Sequence, residues 1–184
     1  MDEVEHYTVN DRYEVKIFID PDPESPREWD NIGTIATWHR RYSLGDEQPN
    51  LDPEEFKEQV LNKPGVAWLP VYMYDHSGLC LRTTPFSCQW DSGQLGFIYV
   101  DMNESKEFET EEEYLRFLKL EIEMYSQFIE GSVYGYTLEE KGEELHSCWG
   151  FYGMNHLKSD IKDHLVYFEQ KRRGELNGQN NGAS

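Results

Sequence analysis

Residues 66–101 place the strongest constraint on the fold. Three apolar runs, "VAWLPVYMYD", "LCLRTTPF" and "LGFIYVD", are joined by the short polar links "HSG" and "DSGQ". In the first run Trp68, Tyr72 and Tyr74 take even positions, and Leu69, Val71 and Met73 odd ones. That period of two sends alternate side chains to opposite faces of a strand. Both faces can pack, so these residues predict a central antiparallel meander with a helix on one face and aromatic side chains on the other.

The flanking segments add elements around it. Residues 13–20 ("YEVKIFID") alternate like a half-buried strand, which the prolines of "DPDPESP" stop. Residues 31–42 are β-branched and aromatic enough for a second strand, with His39 and Arg41 on one face and Trp38 and Arg40 on the other. An inward arginine there would pair with a carboxylate such as Asp30. Asp52 as N-cap with Pro53 at the first helical position predicts a short helix ending before Pro64 and Gly65. Thr110 and Glu113 form a capping box for a helix over 110–131, with Leu118, Ile122, Tyr125 and Ile129 along one stripe. A hairpin turning at Lys141 and Gly142 follows, then a closing helix over 156–173 with Leu157, Ile161, Leu165 and Phe168 inward. The expectation is a single α+β domain over 1–174. It has a mainly antiparallel sheet of about six to seven strands with three helices packed on it. The polar, unpatterned stretch 175–184 reads as a disordered tail.

Composition bounds the function. The chain of 184 residues carries 17 Lys and Arg against 36 Asp and Glu, a formal net charge of −19. Duplex DNA is therefore a poor partner for most of this surface, since phosphate binding draws on Lys and Arg. Basic protein surfaces are favoured instead. No segment reaches the ~20 apolar residues of a membrane span, and the first fifteen residues lack the regions of a signal peptide. Three cysteines without a CxxC pair argue against a disulfide framework. A soluble protein of a reducing cytoplasm is expected. No phosphate-binding loop, dinucleotide fingerprint, HExxH, GxSxG or EF-hand pattern occurs, and no cofactor is implied.

Three sets of residues could carry function. His39, Arg40 and Arg41 are the only basic cluster before the C-terminus, suited to anion binding or acid/base work on phosphates. The links holding His76 and Asp91 supply further polar groups, but a straight strand over 79–86 would hold them about 30 Å apart unless the chain bends at Pro85. Asp91 and Gly93 alternatively serve only a turn, with positive φ at Gly93. Glu121, Glu123, Glu139, Glu140, Glu143 and Glu144 are acidic residues that helix capping does not explain, and they could meet a basic groove. His146 and Cys148, with Cys80 or Cys88, could offer metal ligands, but a buried thiol and a half-buried imidazole are the simpler reading and no metal is expected.

At "REWDNIGTIATWHRRYSLGDE", "YDHSG", "WDSGQLGFIYV" and "SCWGFYG" the chain resembles a group of uncharacterised small proteins encoded by bacteriophages and prophages. The resemblance covers most of residues 24–153 and implies a mobile-element origin and a host bacterial cytoplasm as workplace. By class analogy it implies an anti-defence protein, of the anti-CRISPR or antirestriction kind; the net charge of −19 adds the expectation that it inhibits a basic, nucleic-acid-handling host protein through its acidic surface. The alternative is a nuclease or nucleotide-processing enzyme that acts on a guide or defence RNA with His39, Arg40 or Arg41, His76 and Asp91. A phage structural or accessory protein is the third reading.

Overall fold

The computed structural model describes residues 2–76, 78–88 and 90–180. The fold is α+β, with eight antiparallel strands in two four-stranded sheets. The chain divides into two compact units, Glu24–Gly131 and Met1–Pro23 with Ser132–Ser184. Two sheets therefore replace the one expected. Alternation identifies a strand without naming its partner, and the strand over 13–19 pairs with one that follows residue 131.

The meander unit, Glu24–Gly131, contains β3 (Thr34–Thr37), β4 (Val66–Asp75), β5 (Leu79–Arg82) and β6 (Ser92–Asp101). Their order is β3-β6-β4-β5. Period two sorts the side chains as expected. Ala67, Val71, Ile98 and Val100 pack with Leu118 and Ile122 of the long helix α3 (Glu111–Ile129). On the opposite face Phe97, Trp68, Tyr99 and Trp38 meet Phe56 and Leu61. These last two come from a short helix, α1 (Pro53–Phe56), and the π-helical turn Lys57–Leu61 that continues it. Asp52 caps α1, and Thr110 with Glu113 caps α3 in the reciprocal box expected. A third, one-turn helix, α2 (Met102–Ser105), follows β6. Gly96 lets β3 approach closely: a Cβ there would stand 1.9 Å from the Ala36 carbonyl oxygen.

The inward arginine of this unit is Arg27 rather than Arg40 or Arg41. Its side chain is 9% exposed and bonds Asp46 at 2.7 Å and Glu121 at 2.8 Å. The Glu121 carboxylate also accepts the Ile32 and Gly33 amides, at 3.0 and 3.2 Å. Glu121 thus ties α3 to the start of β3.

The terminal unit contains β1 (Glu3–Val9), β2 (Tyr13–Ile19), β7 (Val133–Glu140) and β8 (Glu143–Tyr152), in the order β1-β2-β7-β8. Tyr13, Val15, Ile17, Tyr136 and Leu138 pack with Leu157 and Ile161 of α4 (Met154–Asn180). The β7–β8 hairpin turns at Lys141 and Gly142, both at positive φ (55° and 81°). The α4 backbone is helical as far as Asn180, past the expected end near Arg173. Residues 181–184 of the expected tail lie outside the described residues. Trp149 lies over the bare backbone of Gly135, so the tryptophan of "SCWGFYG" packs on the sheet.

Candidate functional site

In the meander unit, β3 ends at Thr37, so residues 38–43 form a loop rather than the strand expected. The Thr37 hydroxyl donates to the Leu44 carbonyl at 2.7 Å and the Trp38 amide to the Leu95 carbonyl at 3.1 Å, which pins the base of that loop. Within it the His39 Nδ1 accepts the Arg41 and Tyr42 amides, at 3.3 and 3.1 Å, and the imidazole stacks on the Tyr42 ring. With Nδ1 an acceptor, the neutral His39 ring carries its hydrogen on Nε2. His39 is therefore set as a donor.

The second segment is the end of β4. Asp75 accepts the Tyr42 hydroxyl at 3.0 Å and lies 3.7 Å from the Arg41 guanidinium. The hydrogen bond to Asp75 raises the Tyr42 hydroxyl above the ordinary phenol range, so Tyr42 stays a neutral donor. Arg41 itself is 75% exposed along its side chain and Arg40 is exposed, so both guanidiniums face solvent.

The third segment is "DSGQ", and here the two links meet. His76 Nδ1 is 3.4 Å from the Asp91 carboxylate, and the Asp75 amide donates to the Asp91 carbonyl at 2.8 Å. The separation expected from a long third strand does not arise, because β5 is only four residues long. Beyond it the chain folds back. The Arg82 guanidinium donates to the Thr84 and Pro85 carbonyls and covers the Phe86 ring at 3.7 Å. Phe86 in turn stacks on Tyr74 of β4. Ser92, Gly93 and Gln94 then lie inside β6, and Gly93 has no positive φ. "DSGQ" is thus a strand start rather than a hairpin turn.

These segments border a cleft of about 330 Å³ lined by His39, Asp75, Trp90, Asp91 and Gln94 among others. A second cleft of about 820 Å³ is lined by residues 37–43 and 48–50, so His39 borders both. Trp90 is 96% exposed at the rim of the first. An indole so placed contributes nothing to a core and offers a flat apolar face to a ligand. Of the residues expected to act, His39 and Asp91 line this cleft, Arg41 lines the larger one and approaches Asp75, and His76 approaches Asp91. Asp75, Tyr42 and Trp90 were missed, although each is the sequence neighbour of a residue that was singled out.

The acidic residues fare differently. Glu139 bonds Lys16 at 2.7 Å and Glu140 approaches Arg12 at 3.4 Å, both across the terminal sheet. Glu123 pairs with Lys119 one helical turn away, and Glu144 accepts the Ser147 hydroxyl. Glu123, Glu143 and Glu144 are exposed. The three cysteines are free, and Cys80 and Cys88 belong to a different unit from His146 and Cys148. No helix among the described residues is long and apolar enough to cross a membrane. No family model, curated protein or solved structure matches the chain.

Proposed function

We propose that the cleft bordered by His39, Asp75 and Asp91 binds a phosphate-bearing nucleotide or single-stranded RNA and cleaves a phosphate ester bond in it. The observation that carries this reading is proximity: His39, Asp75 and Asp91 line one cleft, Tyr42 and Arg41 approach Asp75, and His76 approaches Asp91. The roles follow from the geometry. Asp91 fixes His76 by one ring nitrogen as general base; His76 takes a proton from water, whose oxygen bonds phosphorus as the ester P–O bond breaks, and the leaving oxygen takes a proton from solvent. Arg41 and the Nε2 hydrogen of His39 meet phosphate oxygens as charge develops on them. Trp90 stacks on a base, an interaction that tolerates any base because each has a π-face. The resemblance to phage-encoded proteins supports a signal nucleotide or guide RNA of host defence as the substrate.

The test is turnover of single-stranded RNA and cyclic oligonucleotides, followed by chromatography, for the parent chain and for His76→Ala. General acid/base help is worth about a hundredfold or more, so the variant should fall by that factor while folding normally. Equal turnover in both, or none in the parent, contradicts the proposal.

The second reading, inhibition by docking on a basic nucleic-acid-handling host protein, is favoured by the exposure of Glu123, Glu143 and Glu144. It draws little on Glu121, Glu139 and Glu140, whose charges are met within the chain.

A further inference from the structure

We propose that His146, Asp160 and His164 form a binding site for a divalent transition-metal ion, zinc by the chemistry of its donors. The site lies within the terminal unit and does not rest on the cleft of the meander unit. One ligand atom from each residue lies within 4.8 Å of the others. His146 comes from β8, while Asp160 and His164 come from one face of α4 at i and i+4.

Two features point to an ion. The first is that His146 Nε2 is buried with no hydrogen-bond partner. Native interiors rarely leave a ring nitrogen unmatched, and each such atom calls for an explanation. A metal lone-pair acceptor supplies one.

The second feature is the support around His164. Its Nδ1 is 3.0 Å from the Asp160 carbonyl oxygen, 3.2 Å from the Tyr136 hydroxyl and 3.4 Å from the Asp160 carboxylate. The Tyr136 hydroxyl spends its own hydrogen on Asp160, at 2.7 Å. The Asp160 carbonyl has no hydrogen for the ring, so Nδ1 is its donor and Nε2 holds the lone pair; the Asp160 carboxylate turns from Nδ1 to reach an ion held there. Metal-binding histidines are commonly set in this way, with the far nitrogen donating to a carbonyl or carboxylate.

The two imidazoles stack with centroids 3.9 Å apart and planes 18° from parallel. A metal sits in the plane of each ring that binds it, so one imidazole must turn about its Cβ–Cγ bond as the ion enters. Tetrahedral zinc at 2.0–2.1 Å from each nitrogen would draw the ligand atoms to roughly 3.3 Å apart. A cleft of about 380 Å³ lined by His146, Asp163, His164, Tyr167 and Phe168 gives the ring that room. Two imidazoles and one carboxylate leave a fourth position unfilled by the protein, the open arrangement rather than a closed structural one.

The experiment uses the full chain, stripped with a chelator and dialysed. Zinc affinity is read by competition with a chromophoric chelator, and cobalt is used as a spectroscopic substitute. The proposal expects one zinc per chain and at least tenfold weaker binding in His146→Asn and in His164→Asn. Binding should be unchanged in His6→Asn, a control on the exposed pair of His6 with Glu14. Cobalt should show the visible bands of a nitrogen and oxygen set, with no thiolate charge-transfer band. Thermal melts confirm that the variants fold, and Asp160→Asn, expected to weaken zinc binding in the same way, replaces either one that does not. No binding by the parent chain, equal binding by the folded variants, or a thiolate band would each overturn the site.

Discussion

His76 Nδ1 stands 3.4 Å from Asp91 Oδ2, and the neighbouring Asp75 amide donates to the Asp91 carbonyl at 2.8 Å. Backbone pairing places the carboxylate, and the carboxylate faces the imidazole. The pair lies at the end of the meander sheet, with side chains 65% and 37% exposed. Exposed contacts of this kind contribute about 0–1 kcal/mol to folding.

Asp91→Asn should therefore leave the melting temperature within a few degrees of the parent while turnover of a nucleotide substrate falls about tenfold or more. Calorimetry and a rate assay on the same preparation check this. A loss of stability that tracks the loss of rate would make Asp91 a structural residue only.

Arg27 makes the opposite prediction. Its guanidinium is 9% exposed between Asp46 and Glu121, so Arg27→Ala leaves two half-buried carboxylates facing each other. The expected cost is about 3–5 kcal/mol, read by urea denaturation. Arg27→Lys should recover only part of it, because an ammonium cannot serve Asp46, Glu121 and the Gly33 carbonyl with the planar fork that now does.

Two glycines in the same strand separate packing from turn chemistry. A Cβ on Gly96 would meet the Ala36 carbonyl oxygen at 1.9 Å, whereas one on Gly93 meets nothing within 4 Å. Gly96→Ala should cost about 1–3 kcal/mol as β3 is pushed away. Gly93→Ala should lie within about 0.5 kcal/mol of the parent. Thermal melts of both variants test the assignment of Gly93 to a strand rather than a turn.

Alkaline stability follows from two tyrosines. Burial, and then the hydrogen bond to Asp160, raises the Tyr136 hydroxyl far above the ordinary phenol value of 10.0. Burial and Glu47 do the same to Tyr99. Unfolded phenols ionise near 10 while these keep their protons, so the folded state binds more protons once pH passes 10. Their contribution is complete below pH 10 and is lost as pH rises above it. Denaturation midpoints should fall in that range, and less steeply in Tyr99→Phe and Tyr136→Phe.

Local chemistry was readable from the sequence. The Thr110 and Glu113 box, the Asp52 cap and the Lys141-Gly142 turn each depend on a few adjacent residues, and each stands where the spacing puts it. The β1–β2 hairpin was readable too and was missed. Asn10 and Asp11 take φ of 54° and 51°, a conformation that Asn and Asp tolerate better than most residues. Pairing between distant strands was not readable, because alternation says nothing of which strand lies alongside. Nor was the meeting of His76 with Asp91, which depends on Arg82 folding residues 83–86 back along β4. The cluster on α4 left one sign, the spacing of Asp160 and His164 by a single helical turn.

Residues 39–42, 75–76 and 90–91 form one site if a single ligand reaches all of them. Nuclear magnetic resonance of the imidazole and indole groups, recorded while a cyclic dinucleotide or short single-stranded RNA is added, tests it most directly. The His39, His76 and Trp90 signals should shift together and saturate with one dissociation constant. Signals that stay fixed, or that move with unrelated midpoints, would contradict it.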